Sequence, residues 1–180
     1  MTETQDQLRE RISGYIKHNA TKDAAGLFDL IQQGHAQVMS SIDGLSEEQS
    51  TFQPGPGDWS VLKTMQHVVD GKMDTARVCA ALVHSSDAEN LDGEGERVGC
   101  VIPEYTTLHE TRKAAVEAHD AIVAFVRTLN DHTDLAAKHP HFLFGPLNCR
   151  EWIVFQRVHD GDHGSQIDQI KATDGFPAST

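Results

Sequence analysis

The sequence predicts an all-α protein, a four-helix bundle with a short helical extension at its N-terminus. Apolar residues recur at helical spacing through four stretches of about 20 to 28 residues each. No stretch sustains the apolar–polar alternation of a strand. Clusters of Gly, Pro, Asp and Glu fall between the four stretches, where a bundle needs its connections. At 180 residues the chain fits a single domain (1–180) with a core over about residues 24–173, large enough to fold without disulfides.

Taken in order, a polar lead over roughly residues 3–19 reads as a helix. The first core helix runs from about Ala24 to Asp43 on the stripe Leu27, Ile31, Val38 and Ile42. Ser50 to Asp58 breaks helix with Pro54 and Pro56 set among glycines. A second helix starts near Trp59-Ser60, with Asp58 or Ser60 able to cap it, and runs to about Ser85. Ser86 to Ile102 reads as a long solvated loop. The third helix follows Pro103 on the stripe Tyr105, Leu108, Ala115, His119, Ile122, Val126 and Leu129. Residues 131–148, which include HPHFLFGPLN, form a second irregular connection, and loops this long in a compact domain are often functional. The fourth helix spans about Arg150 to Ala172, and Gly175 and Pro177 stop it.

Composition narrows the function classes. A formal charge of −12 with no Lys/Arg cluster argues against nucleic acid or an anionic membrane surface as partner. No run is apolar enough to span a membrane, and MTETQDQLRERI has no secretory h-region. Cys79, Cys100 and Cys149 are scattered and odd in number, which reads as reduced thiols in a cytoplasmic protein. Cys149 sits beside a helix start, where a thiolate is favoured, but nothing else marks it as a nucleophile.

The chemistry concentrates in the fourth helix. His159 and His163 are four residues apart, so their imidazoles are neighbours on one face and able to converge on one divalent metal. Trp152, Phe155, Gln156, Ile167 and Ile170 share that face, while Arg150, Arg157, Gly161, Ser165 and Asp168 lie opposite. A pair of hydrogen-bonded core histidines is the alternative. A catalytic zinc takes three protein ligands, so a third must come from elsewhere. On the second helix the densest apolar stripe is Met65, Val69, Ala76 and Val83, and His67 lies opposite it among Ser60, Thr64, Gly71 and Asp74. Periodicity alone makes His67 a surface residue. Val78 and Leu82 fall on its side, however, so a helix packed on two sides, with His67 at a small-residue cleft, is also open.

W-S-V-x(5)-H at Trp59–His67 followed by H-x-x-x-H at His159–His163 resembles the DinB-like (DinB/YfiT) superfamily of metal-binding four-helix bundles. Leu147-Asn148, Glu151-Trp152, Gln166-Ile167 and Gly175-Phe176-Pro177 extend the resemblance over most of residues 24–177. The resemblance implies helices running up, down, down and up, with His67, His159 and His163 binding a divalent metal, zinc or nickel. It further implies an enzyme activating a low-molecular-weight thiol for S-transfer to, or isomerisation of, a small electrophilic molecule. A metal-dependent hydrolase using a metal hydroxide, and a stress-related metal-binding protein without turnover, are the alternatives.

Other polar residues are weaker candidates. His119 is inward-facing, but about 16 residues into its helix against about 8 for His67, a height difference of roughly 12 Å if those helices are parallel. A core role or one behind the ligands suits it better. His139 and His141 default to solvated loop, although they could line a mouth. Asp160 invites comparison with the general base of H-E-x-x-H proteases, but the shorter side chain and the missing downstream ligand speak against it. Asp70, Asp74, Asp160 and residues His141 to Phe144 are the available helpers; for Asp70 and Asp74 a solvated helix surface is the plain alternative. The Val69/Met73/Val83 side of the second helix, if uncovered, would offer a homodimer face.

Overall fold

The computed structural model describes residues 3–83 and 104–178. The expected loop Ser86–Ile102, the expected helix end at His84 and Ser85, Cys100 and Pro103 lie outside the described residues. The described elements are α1 (Gln5–Asn19), α2 (Ala24–Ser41), α3 (Glu47–Thr51), α4 (Val61–Val83), α5 (Leu108–Val126), β1 (His139–His141), β2 (Gly145–Leu147) and α6 (Cys149–Lys171). Helices α2, α4, α5 and α6 form the four-helix bundle, and α1 is the extension.

Local chemistry sets the helix starts. The Asp23 carboxylate accepts from the Gly26 amide at 2.8 Å and caps α2. Ser60 Oγ accepts from the Lys63 amide at the start of α4. Asn148 and Glu151 form a reciprocal capping box at α6, at 3.0 and 2.9 Å. The third core helix begins later than its proline suggested. Thr107 and Glu110 form a capping box, so the helical ladder opens at Leu108. Another box, Ser46 with Gln49, starts the short α3, which periodicity could not reveal in five residues.

Two apolar clusters give the helix directions. At one end Leu27 and Ile31 of α2 meet Val78 and Leu82 of α4, Ile122 and Val126 of α5, and Ile153 of α6. At the other end Val38 meets Val61 and Met65, Leu108 and Ala115, and Ile167 and Ile170. Residue numbers rise from the first end to the second in α2 and α6 and fall in α4 and α5, so the bundle runs up, down, down, up. Helix α2 packs on α6 and α5, and α4 on α5 and α6. The sequence-adjacent pairs α2/α4 and α5/α6 therefore lie on diagonals, which their long connectors (residues 42–60 and 127–148) can span.

Part of the polar side expected of α6 is a packing face, around Arg157 and Gly161, while Ser165 and Asp168 are exposed. A Cβ on Gly34 of α2 would lie 3.1 Å from the Arg157 carbonyl oxygen, and one on Gly164 would lie 3.4 Å from the Val38 Cα. These glycines let α2 and α6 approach closely. The stripe offered as a dimer face is likewise internal: Val69 is buried, and Met73 and Val83 pack on this chain's own core. No described helix is long and apolar enough to cross a membrane.

Between the apolar clusters lies a layer of buried polar groups. Lys72 of α4 and Asp160 of α6, both essentially inaccessible, form an ion pair. Gln156 Nε2 donates to Asp160 Oδ1 at 2.8 Å, and Thr75 Oγ1 donates to Gln156 Oε1 at 2.9 Å. His119 stacks on His35 at 3.9 Å, with its Nε2 3.1 Å from Gln32 Oε1. His119 is thus a core residue.

Candidate metal centre

Helix α4 brings His67, and α6 brings His159 and His163, to one seam of the bundle. His67 Nε2 and His159 Nε2 are 3.1 Å apart, and one ring nitrogen from each of the three histidines lies within 4.8 Å of the others. All three residues are half-buried. Periodicity alone put His67 on the surface because α4 has two buried faces: Val69 and Met65 point to the core on one side, Val78 and Leu82 on another. The small-residue cleft is Gly71, one turn beyond His67. A Cβ there would lie 2.7 Å from His159 Cε1 and 3.2 Å from both ring nitrogens, so the His159 ring occupies space that only glycine leaves open.

Neighbouring side chains orient the ligating atoms. His163 Nδ1–H donates to Gln166 Oε1 at 2.8 Å, which leaves Nε2 for the centre. Gln156 Nε2 lies 3.5 Å from His159 Nδ1 and joins that ring to the buried polar layer. Trp59 covers the rim, with its ring 5.1 Å from His67 and 6.3 Å from His163. Burial, then the nearby His163 and His67, push His159 well below its ordinary pKa. That ring is held neutral, as a metal ligand must be.

The centre opens onto a cavity of about 560 Å³. Its α4 wall carries Asp70, Asp74 and Arg77; its α6 wall carries Trp152, Phe155 and Val158. Residues 139–147, expected as solvated loop, instead form an antiparallel hairpin whose loop ends at Gly145 with φ +70°. His139 and His141 are both buried, and His141 lines the cavity with Phe144. Burial lowers the pKa of both, that of His141 to about 4. Helix α1 adds Leu8 and Ile12 to the same cavity.

The remaining candidates divide clearly. Asp70 and Asp74 line the cavity; Asp70 accepts from Gln66 Nε2 at 3.0 Å, and Asp74 pairs with Arg77 at 3.6 Å. Asp160 points away into the core, where burial raises its pKa and Lys72 opposes the rise, so it is not a general base at the centre. Cys149 is buried and its thiol is pushed up by burial, an ordinary core cysteine, and Cys79 Sγ donates to its carbonyl. Sequence reasoning placed Trp152 and Phe155 on the face of the histidine pair but missed the Lys72–Asp160 pair and the hairpin that adds His141 and Phe144 to that wall. Gly71, one turn from His67, was the visible sign of the cleft.

Fold and site together define an all-α bundle with a three-histidine cluster of metal-binding type between two of its helices. Residues 30–167 match the DinB superfamily, and the chain belongs to it. The crystal structure of TT2238, a four-helix bundle protein, is similar with a TM-score of 0.62 at 17% identity, over 81% of this chain and 98% of that one. Among curated proteins, none matches the chain.

Proposed function

We propose that His67, His159 and His163 hold a divalent metal, zinc or nickel, and that the protein is an enzyme activating a low-molecular-weight thiol against a small electrophile. The observation that carries this reading is the convergence of three ring nitrogens within 4.8 Å at the edge of a cavity of about 560 Å³. Gly71 supports it, because the His159 ring sits where any side chain at that position would displace it. A divalent ion held there supplies Lewis-acid chemistry, lowering the pKa of a bound thiol or water toward neutrality. The aromatic α6 and hairpin walls favour a thiolate, which is weakly hydrated, over hydroxide as the nucleophile. Asp70 and Asp74 on the opposite wall, and Asp162 beside His163, are the cavity carboxylates available to take the thiol proton. In S-transfer the sulfur–carbon bond forms as the leaving group departs and takes up that proton, so thiol and electrophile give thioether and protonated leaving group. In isomerisation the thiol adds and is then released unchanged. The free, buried Cys79 and Cys149 suit a reducing cytoplasm.

Elemental analysis of the purified protein should find one metal per chain, and His67→Ala, His159→Ala and His163→Ala should each abolish tight binding. Full occupancy in His67→Ala would remove that residue from the ligand set. Metal-loaded protein is then incubated with a panel of cellular thiols and electrophiles, and adducts are sought by mass spectrometry. A rate above the metal-free control supports thiol activation. No rate with any thiol, together with ester or amide cleavage, would establish hydrolysis instead.

A further inference from the structure

We infer that the aromatic half of this cavity binds an uncharged, largely apolar small molecule bearing one acceptor oxygen, and that the His141 Nε2–H is the donor that holds this oxygen. The inference deepens the reading above by naming the substrate class, and it rests on that reading only in taking this cavity as the substrate site.

The hairpin decides which nitrogen of His141 carries the proton. The backbone amides of Leu143 and Phe144 both donate to His141 Nδ1, at 3.2 and 3.4 Å. A ring nitrogen that accepts hydrogen bonds has no proton, so the neutral ring carries its proton on Nε2. Packing fixes the ring's direction: Phe155 lies 4.2 Å away and Phe144 stacks at 5.1 Å and 26°. Among the described residues no protein acceptor meets Nε2, and this nitrogen is not one of the sealed, unpartnered polar atoms of the interior. It therefore opens onto the cavity that His141 lines.

The surroundings set the rest of the ligand's chemistry. Phe144, Trp152, Phe155 and Val158 give an uncharged wall, and Leu8 and Ile12 of α1 add a second apolar surface. The charged side chains are Asp70, Asp74 and Arg77 on the α4 wall, where Asp74 and Arg77 already pair with each other, and Asp162 of α6, next to His163 and exposed to solvent. A cavity of about 560 Å³ takes a two-ring molecule and lies within the usual range of small-molecule sites.

A matched pair of probes tests this: 2-acetylnaphthalene, and 2-isopropenylnaphthalene, in which a methylene replaces the carbonyl oxygen. Both are titrated by NMR chemical shift into metal-free protein, so that no ion contributes and the outcome is independent of the metal analysis above. The ketone should bind wild-type protein about tenfold more tightly than the alkene, the worth of one well-placed hydrogen bond. His141→Asn retains a side-chain acceptor for the two hairpin amides, while its own amide donor stops short of the position of the imidazole Nε2. It should bind both probes equally and show an unchanged amide spectrum for α6. Phe155→Ala should weaken both probes alike. Nitrogen-15 shifts should place the His141 proton on Nε2. Equal binding of the two probes by wild-type protein, no binding of either, a ketone preference that survives in His141→Asn, or a proton on Nδ1 would each overturn the inference.

Discussion

Gly71→Ala separates the metal centre from the stability of the bundle that carries it. The added Cβ would stand 2.7 Å from His159 Cε1, where ordinary carbon contacts are about 3.5 Å or more. The ring must retreat by roughly 0.8 Å, or leave its rotamer at a cost of about 0.5–1.5 kcal/mol. Helix α4 cannot make room, since it is packed on two sides. Cε1 lies between the two ring nitrogens, so pushing it displaces Nε2 as well, while ligand positions tolerate only about 0.2 Å. Disturbing the support of a ligand typically weakens metal binding 10- to 100-fold, which is about 1.4–2.7 kcal/mol.

The same substitution favours the helix, because alanine is better than glycine in a helix interior by about 1 kcal/mol. Gain and strain nearly cancel in the metal-free protein, so its melting temperature should stay within a few degrees of wild type. Competition against a chromophoric chelator measures the affinity, and thermal unfolding in chelator measures the scaffold. Gly14→Ala is the control, since a Cβ there meets nothing within 4 Å. Wild-type metal affinity in Gly71→Ala would refute the assignment of the three histidines as one centre.

Three further outcomes are expected. Lys72→Met leaves the Asp160 carboxylate buried without its cation and should cost about 3–5 kcal/mol in urea unfolding, whereas Lys72→Met with Asp160→Leu should recover most of it. Burial pushes His35 down to about 3 and His119 down to about 4 from an ordinary 6.5, so the folded state keeps them neutral while the unfolded chain protonates. Stability in chelator should therefore fall as pH drops from about 6.5 toward 4, by up to about 1.4 kcal/mol per pH unit for each of the two. His35→Gln with His119→Gln should flatten that slope relative to wild type. Asn148→Ala removes the cap of α6 and should cost about 1 kcal/mol by urea melts.

Helix existence was legible because each core helix keeps a stripe several turns long, and the His159/His163 pair was legible because spacing on a helix is geometry. What failed to show was of three physical kinds. The hairpin has strands of three residues, HPH and GPL, each with a proline, too short to display alternation. The start of α5 was misplaced because a proline outweighed Thr107-x-x-Glu110, although that capping box was written in the chain. The far side of α6 was read as polar because a central helix buries more than one side, so Gly161, set opposite the histidines, is buried, as is Lys72 of α4.

The buried polar layer explains why a histidine and an aspartate adjacent in sequence serve such different ends. Successive residues on a helix point about 100° apart. Asp160 is turned to the core by its ion pair with Lys72 and its bond from Gln156, and this leaves His159 turned out to the seam with α4. Lys72 follows Gly71 in the same way, so one turn of α4 supplies both the inward cation and the outward cleft. The ion pair thus fixes the rotation of α6 against α4, and that rotation brings His159 Nε2 to 3.1 Å from His67 Nε2. An apolar replacement that restores stability need not restore this register, because packed methyl groups tolerate small rotations that an ion pair with hydrogen bonds does not. The stabilised double variant Lys72→Met/Asp160→Leu should accordingly bind metal more weakly than wild type, by about tenfold, the low end of the range for such support. Wild-type affinity in that variant would show that the apolar clusters alone set the helix rotation.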